Sequence, residues 1–211
     1  MNIVIKKAGI RSSLFLSYEF EQKDVDVNNT IKTSSDAPIH EDLRNAFRAL
    51  IPHFAFITEE VIDVDLVERA IEAPESYVQD REHSASEVFF KFLVTEFSIT
   101  NKQGLNYVVL SGNKLLESGE VISFTAPAID LEGGKYQFRA ALYDLIDVLK
   151  LEVLAYMEGK QAPKTQMEMF AEEETLATKK ARSKKTESAF LEDMSSIDEY
   201  NKQVQEDLKN Q

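Results

Sequence analysis

Residues 136–159 form the longest amphipathic stretch of the chain and constrain its fold more than any other segment. Apolar residues recur there at alternating steps of three and four, which places them on one face of an α-helix. They are Phe138, Leu142, Leu145, Leu149, Val153 and Tyr156. This face is widened by Ala140, Ala141, Ile146, Val148 and Leu151. We therefore predict a long helix that is covered on more than one side and closes the folded part of the chain.

The first forty residues have the pattern of β-strands. Apolar and polar side chains alternate over residues 14–20, which is typical of a strand with one buried face. We predict a shorter strand at residues 3–5, ending near Ala8-Gly9, and a strand at 30–33 that pairs back after a turn. A helix is predicted over residues 41–51. Pro52 should end or kink it, because proline lacks the amide donor, and a second short helical piece should follow.

The middle of the chain separates two structured halves. Residues 61–87 are rich in Asp and Glu and carry one short helical signal at 66–71, so we interpret them as a connector. Residues 88–100 give the strongest strand signal, with apolar side chains on both faces, and predict a central strand that is covered on both sides. Strands at 107–111 and 120–124 continue the meander, with turns predicted at 111–113 and 117–119.

The order of these elements predicts an α+β fold made of antiparallel β-meanders with helices on one face. The two halves, 1–60 and 88–159, also suggest an internal duplication. Aligned on their helices, they agree at four positions: Arg44/Arg139, Ala46/Ala141, Leu50/Leu145 and Ile51/Ile146. Amphipathic helices can agree this well by chance, so the duplication is a hypothesis.

The charge of the chain argues against nucleic-acid binding by the domain. Residues 160–211 hold nine Lys and Arg against eleven Asp and Glu, so about −11 of the total −13 belongs to residues 1–159. Such a surface repels phosphate backbones unless its basic residues cluster. It either keeps the protein in solution or meets a basic partner. The absence of cysteine excludes disulfides, thiolate metal sites and cysteine nucleophiles.

Residues 1–13 do not resemble a signal peptide, and no stretch reaches the roughly twenty apolar residues needed to cross a bilayer. We therefore expect a soluble, cytoplasmic protein that does not bind membranes.

The sequence contains no recognisable enzyme motif. His40, His53 and His83 have no metal-like spacing, and we expect His40 and His53 to be surface or capping residues. Gly133-Gly134 is interpreted as a turn before the long helix. We therefore predict no catalytic residue, metal site or cofactor.

Two pairs of carboxylates support an alternative, a metal-dependent enzyme. Asp24 and Asp26, like Asp63 and Asp65, would point to one side if their segments were extended.

Residues 166–170 read Gln-Met-Glu-Met-Phe, and they follow a shift to linker composition at Lys160. This pentapeptide resembles the binding motif of bacterial sliding-clamp partner proteins. The resemblance implies that Gln166 is a polar anchor, that Met167 fills the following position, and that Met169 and Phe170 enter an apolar pocket of the clamp. The alternative is that Met169 and Phe170 form a turn that folds back on the long helix.

The rest of the tail, which we expect to be largely flexible, has two further features. A basic run in the 160–186 linker either contacts DNA or an acidic partner, or is simply a solvated part of the linker; it comprises Lys179, Lys180, Arg182, Lys184 and Lys185. Residues 187–211 have the spacing of an amphipathic helix with Asn201 on its apolar seam. Such a helix could dock on a partner or self-associate.

These features together favour a non-enzymatic accessory protein of DNA replication, recombination or repair that the sliding clamp recruits. The small size and modular tail resemble those of phage or mobile-element proteins. Two alternatives stay open. One is an acidic inhibitor that mimics DNA and binds a host protein, and the other is the metal-dependent enzyme.

Overall fold

The computed structural model describes residues 2–23, 28–79 and 87–162. They belong to one compact unit. The described strands are β1 (Asn2–Arg11), β2 (Phe15–Lys23), β3 (Asn28–Pro38), β4 (Phe92–Lys102), β5 (Leu105–Leu115), β6 (Val121–Thr125) and β7 (Ile129–Asp130). The described α-helices are α1 (Glu41–Ala49), α2 (Ile51–Ile57), α3 (Val64–Glu72) and α4 (Arg139–Met157).

All described strands belong to one antiparallel sheet with the order β3-β2-β1-β4-β5-β6, and β7 also pairs with β5. The two central strands, β1 and β4, pair through Lys7–Gly9 and Glu96–Ser98. Each is the first strand of a three-stranded meander that leads to helices. The predicted α+β class with antiparallel meanders is confirmed. The repeated order is what a duplication would produce, and the duplication itself stays a hypothesis.

The core lies on one face of the sheet. Buried strand residues pair across it, as Ile5 does with Phe20 and Phe97 with Leu110. Helices α1, α2 and α4 pack against this sheet, and α1 also contacts α4. The opposite face carries charged side chains that form ion pairs between strands. Two of these pairs are Lys7–Glu96 at 2.8 Å and Lys32–Glu19 at 3.0 Å.

Strand β4 differs from its prediction in two ways. It begins at Phe92, because Phe89–Lys91 form a 3-10 turn. It is covered on one face only, since Leu93 is exposed between the buried Phe92 and Val94. A bulge between Val94 and Glu96 then shifts the alternation by one residue and returns Phe97 to the core. Without the bulge, apolar residues before and after it fall on opposite faces of the strand. This is why the sequence pattern predicted two apolar faces.

Other strands are longer than predicted. β1 continues past Gly9 to Arg11, and the predicted turn at 111–113 is wrong because these residues lie inside β5. Gly112 is needed there for close packing: a Cβ would lie 2.4 Å from the Leu93 carbonyl oxygen and 3.0 Å from the Phe54 ring. The turn at Glu117–Gly119 is confirmed, and Gly119 has a positive φ of 84°.

The first helical region agrees with the sequence. α1 ends at Ala49, and Pro52 lies in the first turn of α2, where its missing amide donor costs no helical hydrogen bond. The helical signal at 66–71 is confirmed as α3, but the connector interpretation of 61–87 is wrong for its described part. Val67 and Ala70 of α3 are buried in the common core, together with Val78 of the π-helical turn Glu75–Gln79.

Helix α4 confirms the longest predicted element and corrects its environment. Its buried side chains follow steps of four and three: Leu142, Ile146, Leu149, Val153 and Tyr156. The expectation of cover on more than one side is wrong, because Val148 and Leu151 are 48% and 65% exposed. The helix packs with one face on the sheet and α1, and no other described element covers its outer face. Among the described residues, no helix is long and apolar enough to cross a membrane.

Candidate functional site

Most of the sequence-predicted site residues lie outside the described residues. They are Gln166, Met167, Met169 and Phe170 of the clamp-type motif, Lys179, Lys180, Arg182, Lys184 and Lys185 of the basic run, and Asp24 and Asp26 of the first carboxylate pair. The amphipathic segment 187–211 and His83 also fall there. The roles assigned to these residues stay predictions.

The second carboxylate pair lies at the start of α3, so its segment is not the extended one that would place both acids on one side. Asp63 is the N-cap residue, and its Oδ1 accepts a hydrogen bond of 3.0 Å from the amide of Leu66. Asp65 lies in the first turn, where a negative charge is favourable to the helix dipole. Helix capping accounts for this pair, and the described ranges contain no group of three or more His, Asp or Glu residues arranged for a metal.

The two described histidines differ. His40 caps α1, as predicted, because its Nδ1 accepts a hydrogen bond of 3.2 Å from the amide of Asp42. The surface position predicted for His53 is wrong, since this side chain is only 1% exposed. Its Nδ1 lies 2.7 Å from the hydroxyl of Tyr136, in the segment before α4. The helical spacing of the neighbouring apolar residues was the signal that could have placed His53 in the core.

Burial decides the charge state of this pair. Loss of solvation lowers the pKa of His53 to about 3, and burial raises the pKa of the Tyr136 hydroxyl. Both groups are therefore neutral near pH 7, and either one can donate the hydrogen bond, depending on the imidazole tautomer. An imidazole with so low a pKa is a poor general base at neutral pH. We conclude that the pair attaches the segment before α4 to helix α2.

An apolar groove of about 630 Å³ lies beside this pair. One part of its lining comes from the end of α2 and the segment that leads to α3, and includes Phe56, Ile62 and Val64. The other part comes from β5, β7 and the residues around them, and includes Tyr107 and Tyr136. Ile62 and Val64 are 78% and 41% exposed, although they are aliphatic. This groove and its rim are named the α2–β7 groove below.

Both sides of the α2–β7 groove are held in place by hydrogen bonds. On one side, Thr58 Oγ1 donates to the carbonyl of Phe54 at the end of α2. On the other, the Asp130 carboxylate accepts hydrogen bonds of 2.8 and 3.0 Å from the amides of Glu132 and Gly133. Both sides of the groove are therefore in place before any ligand binds.

Carboxylates outnumber cations around the groove. Glu59, Asp130 and Lys135 line it. Asp63 and Asp65 flank Val64 in the sequence, and both are exposed. The groove was not predicted from the sequence, because the acidic composition of residues 61–87 is typical of a connector. The available signal was the placement of the apolar Ile62 and Val64 among acidic residues.

Comparison with protein-family models, with curated proteins and with solved structures finds no match for this chain. Any function must therefore be argued from its own residues.

Proposed function

We propose that this protein is a non-enzymatic accessory protein of DNA replication, recombination or repair that a bacterial sliding clamp recruits through residues 166–170. The observation that carries the proposal is the sequence Gln-Met-Glu-Met-Phe and its position directly after the α+β domain. Gln166 follows the last described residue, Ala162, after Pro163, Lys164 and Thr165. Among the described residues, the buried core cluster runs from Ile5 to Tyr156.

Several contacts hold the last described residues against the domain. The amide of Ala162 donates to the carbonyl of Pro38 at 3.1 Å, and Gln161 forms an antiparallel bridge with Ile39. Lys160 Nζ lies 2.7 Å from Asp42 and 2.8 Å from Glu152. The hydrogen bonds of Lys160 to these two carboxylates raise its pKa. The chain is therefore anchored to the domain up to Ala162, four residues before Gln166.

Within the proposal, Met169 and Phe170 supply most of the binding energy. Large apolar side chains that enter a dry pocket are the usual energetic centres of such interfaces, whereas the surrounding contacts mainly exclude water. Gln166 adds a directional hydrogen bond that fixes the register of the peptide. The acidic domain stays away from the DNA that passes through the clamp, because its charge of −11 repels phosphates.

A pull-down with purified bacterial sliding clamp tests the proposal. The bait is either the full chain or a truncated chain that ends at Ala162, which keeps the hydrogen bond to Pro38. We expect the full chain alone to retain the clamp, and a synthetic peptide of residues 163–175 to release it. Retention by neither bait, or equally by both, contradicts the proposal. In a parallel pull-down from bacterial lysate, retention of a basic protein by both baits, with release by DNA, would favour the acidic-inhibitor alternative.

A further inference from the structure

We infer that the α2–β7 groove is a docking site for a basic peptide segment of a partner protein, one that carries a bulky apolar side chain flanked by Lys or Arg. This inference concerns the domain and is independent of the sliding-clamp proposal. It assigns a ligand class to the part of the chain for which the motif in the tail implies nothing.

The apolar half of the inference comes from exposure and shape. Ile62 and Val64 are 78% and 41% exposed in the folded domain, and they lie beside a recess lined by aromatic side chains. Exposed aliphatic residues scattered over a surface need no explanation, but those that border a concave apolar site mark a binding surface. A volume of about 630 Å³ accommodates one or two large side chains rather than a whole folded element.

The aromatic part of the lining is rigid. Phe56 packs against Tyr136 and Phe138, with ring centroids 6.1 and 5.4 Å apart. Tyr136 is in turn attached to the buried His53 by the hydrogen bond of 2.7 Å. A peptide that inserts a side chain here meets a surface already in place, so it loses less free energy to ordering of the protein.

The carboxylates at the rim favour a peptide with positive charge. Glu59 and Asp130 line the groove, Asp63 and Asp65 flank Val64, and Lys135 is the cation in the lining. Lys or Arg residues beside the inserted apolar side chain would meet these carboxylates, which accelerates association and excludes acidic partners. The same charge disfavours a second copy of this chain as the occupant, since two domains of about −11 repel each other.

The test selects peptides on the full-length protein from a random twelve-residue display library. The expected result is enrichment of peptides that combine a bulky apolar residue with flanking Lys or Arg. The affinity of the selected peptides is then measured for the wild type and for Ile62→Gln, which changes a largely exposed residue and keeps the core. We expect Ile62→Gln to weaken binding by about tenfold or more. The matched control is Leu151→Gln on α4, outside the groove, which should change the affinity less than about twofold.

A second pair of variants tests the charge. Glu59→Gln combined with Asp65→Asn should weaken binding several-fold at low salt and flatten its salt dependence. Glu117→Gln combined with Glu120→Gln removes the same charge from the β5–β6 turn. This control pair should change neither the affinity nor its salt dependence.

Three results of the peptide experiment would overturn the inference. They are the absence of any enriched peptide, enriched peptides without excess Lys or Arg, and full affinity for Ile62→Gln. A dimer in sedimentation that Ile62→Gln converts to monomers would also overturn it, because the occupant would then be a second copy.

Discussion

Acidification should destabilise the domain through His53, the buried histidine of helix α2. In the unfolded chain its imidazole has the ordinary pKa of about 6.5, whereas burial in the folded domain lowers the pKa to about 3. Below pH 6.5 the unfolded chain therefore binds a proton that the folded domain excludes. The contribution of His53 is fully present above pH 6.5 and is lost as the pH falls toward 3.

The magnitude follows from the size of this shift. Each pH unit below 6.5 costs about 1.4 kcal/mol of unfolding free energy, so His53 alone removes about 2 kcal/mol at pH 5. That is a large part of the ~5–15 kcal/mol that holds a typical domain together. The assay is urea denaturation of the full-length protein at several pH values between 7 and 5, with the unfolding free energy extrapolated to zero urea.

Two variants separate burial from hydrogen bonding. His53→Asn cannot be protonated, so its unfolding free energy should fall less steeply with acid, by about 1.4 kcal/mol per pH unit. Tyr136→Phe removes the hydroxyl partner but leaves His53 buried, and it should keep the wild-type slope even if the protein is less stable. Direct titration of the His53 ring by NMR completes the test. An imidazole that titrates near pH 6.5 in the folded protein would refute the reasoning.

Two further substitutions test the packing of the fold by chemical denaturation. On α4, Leu149→Ala should lower the free energy of unfolding by about 2–5 kcal/mol because Leu149 is fully buried. Leu151→Ala should lower it by less than about 0.5 kcal/mol because Leu151 is exposed. Similar losses for the two variants would contradict the one-sided cover of the helix. In β5, Gly112→Ala should destabilise by about 1–3 kcal/mol, because the added methyl group meets the Leu93 carbonyl and the Phe54 ring; an unchanged stability would refute that close approach.

The fold class could be predicted because its signals are local. The spacing of apolar residues in α4, the acidic first turn of α1 and the position of Pro52 each identify an element without knowledge of its neighbours. The order of strands and helices then favours meanders covered by helices. This much requires no contact between distant residues.

What could not be predicted depends on long-range packing. The bulge at Thr95 changes which residues of β4 face the core, and the sequence around it contains no Gly or Pro that would predict a bulge. Gly112 looks like a turn glycine, but it is there because Phe54, far away in the sequence, packs against it. Likewise, whether Leu151 is covered depends on which elements pack around α4.

The α2–β7 groove could not be predicted for the same reason. Its lining comes from segments around Phe56, Tyr107 and Tyr136, which are brought together only by the sheet and the helices on it. The acidic residues near Ile62 are visible in the sequence. They do not predict a binding site, because a solvated connector has the same composition. Exposure of an aliphatic residue beside a recess becomes visible only in three dimensions.

Binding of Met169 and Phe170 to a bacterial sliding clamp, as proposed above, can be tested by one affinity measurement. The full-length protein is titrated against purified bacterial sliding clamp, with Phe170 intact and as Phe170→Ala; Phe190→Ala serves as the matched tail control. The account predicts that Phe170→Ala weakens binding by at least about 30-fold, or roughly 2 kcal/mol, while Phe190→Ala leaves it unchanged. Equal affinities for the wild type and Phe170→Ala would contradict it.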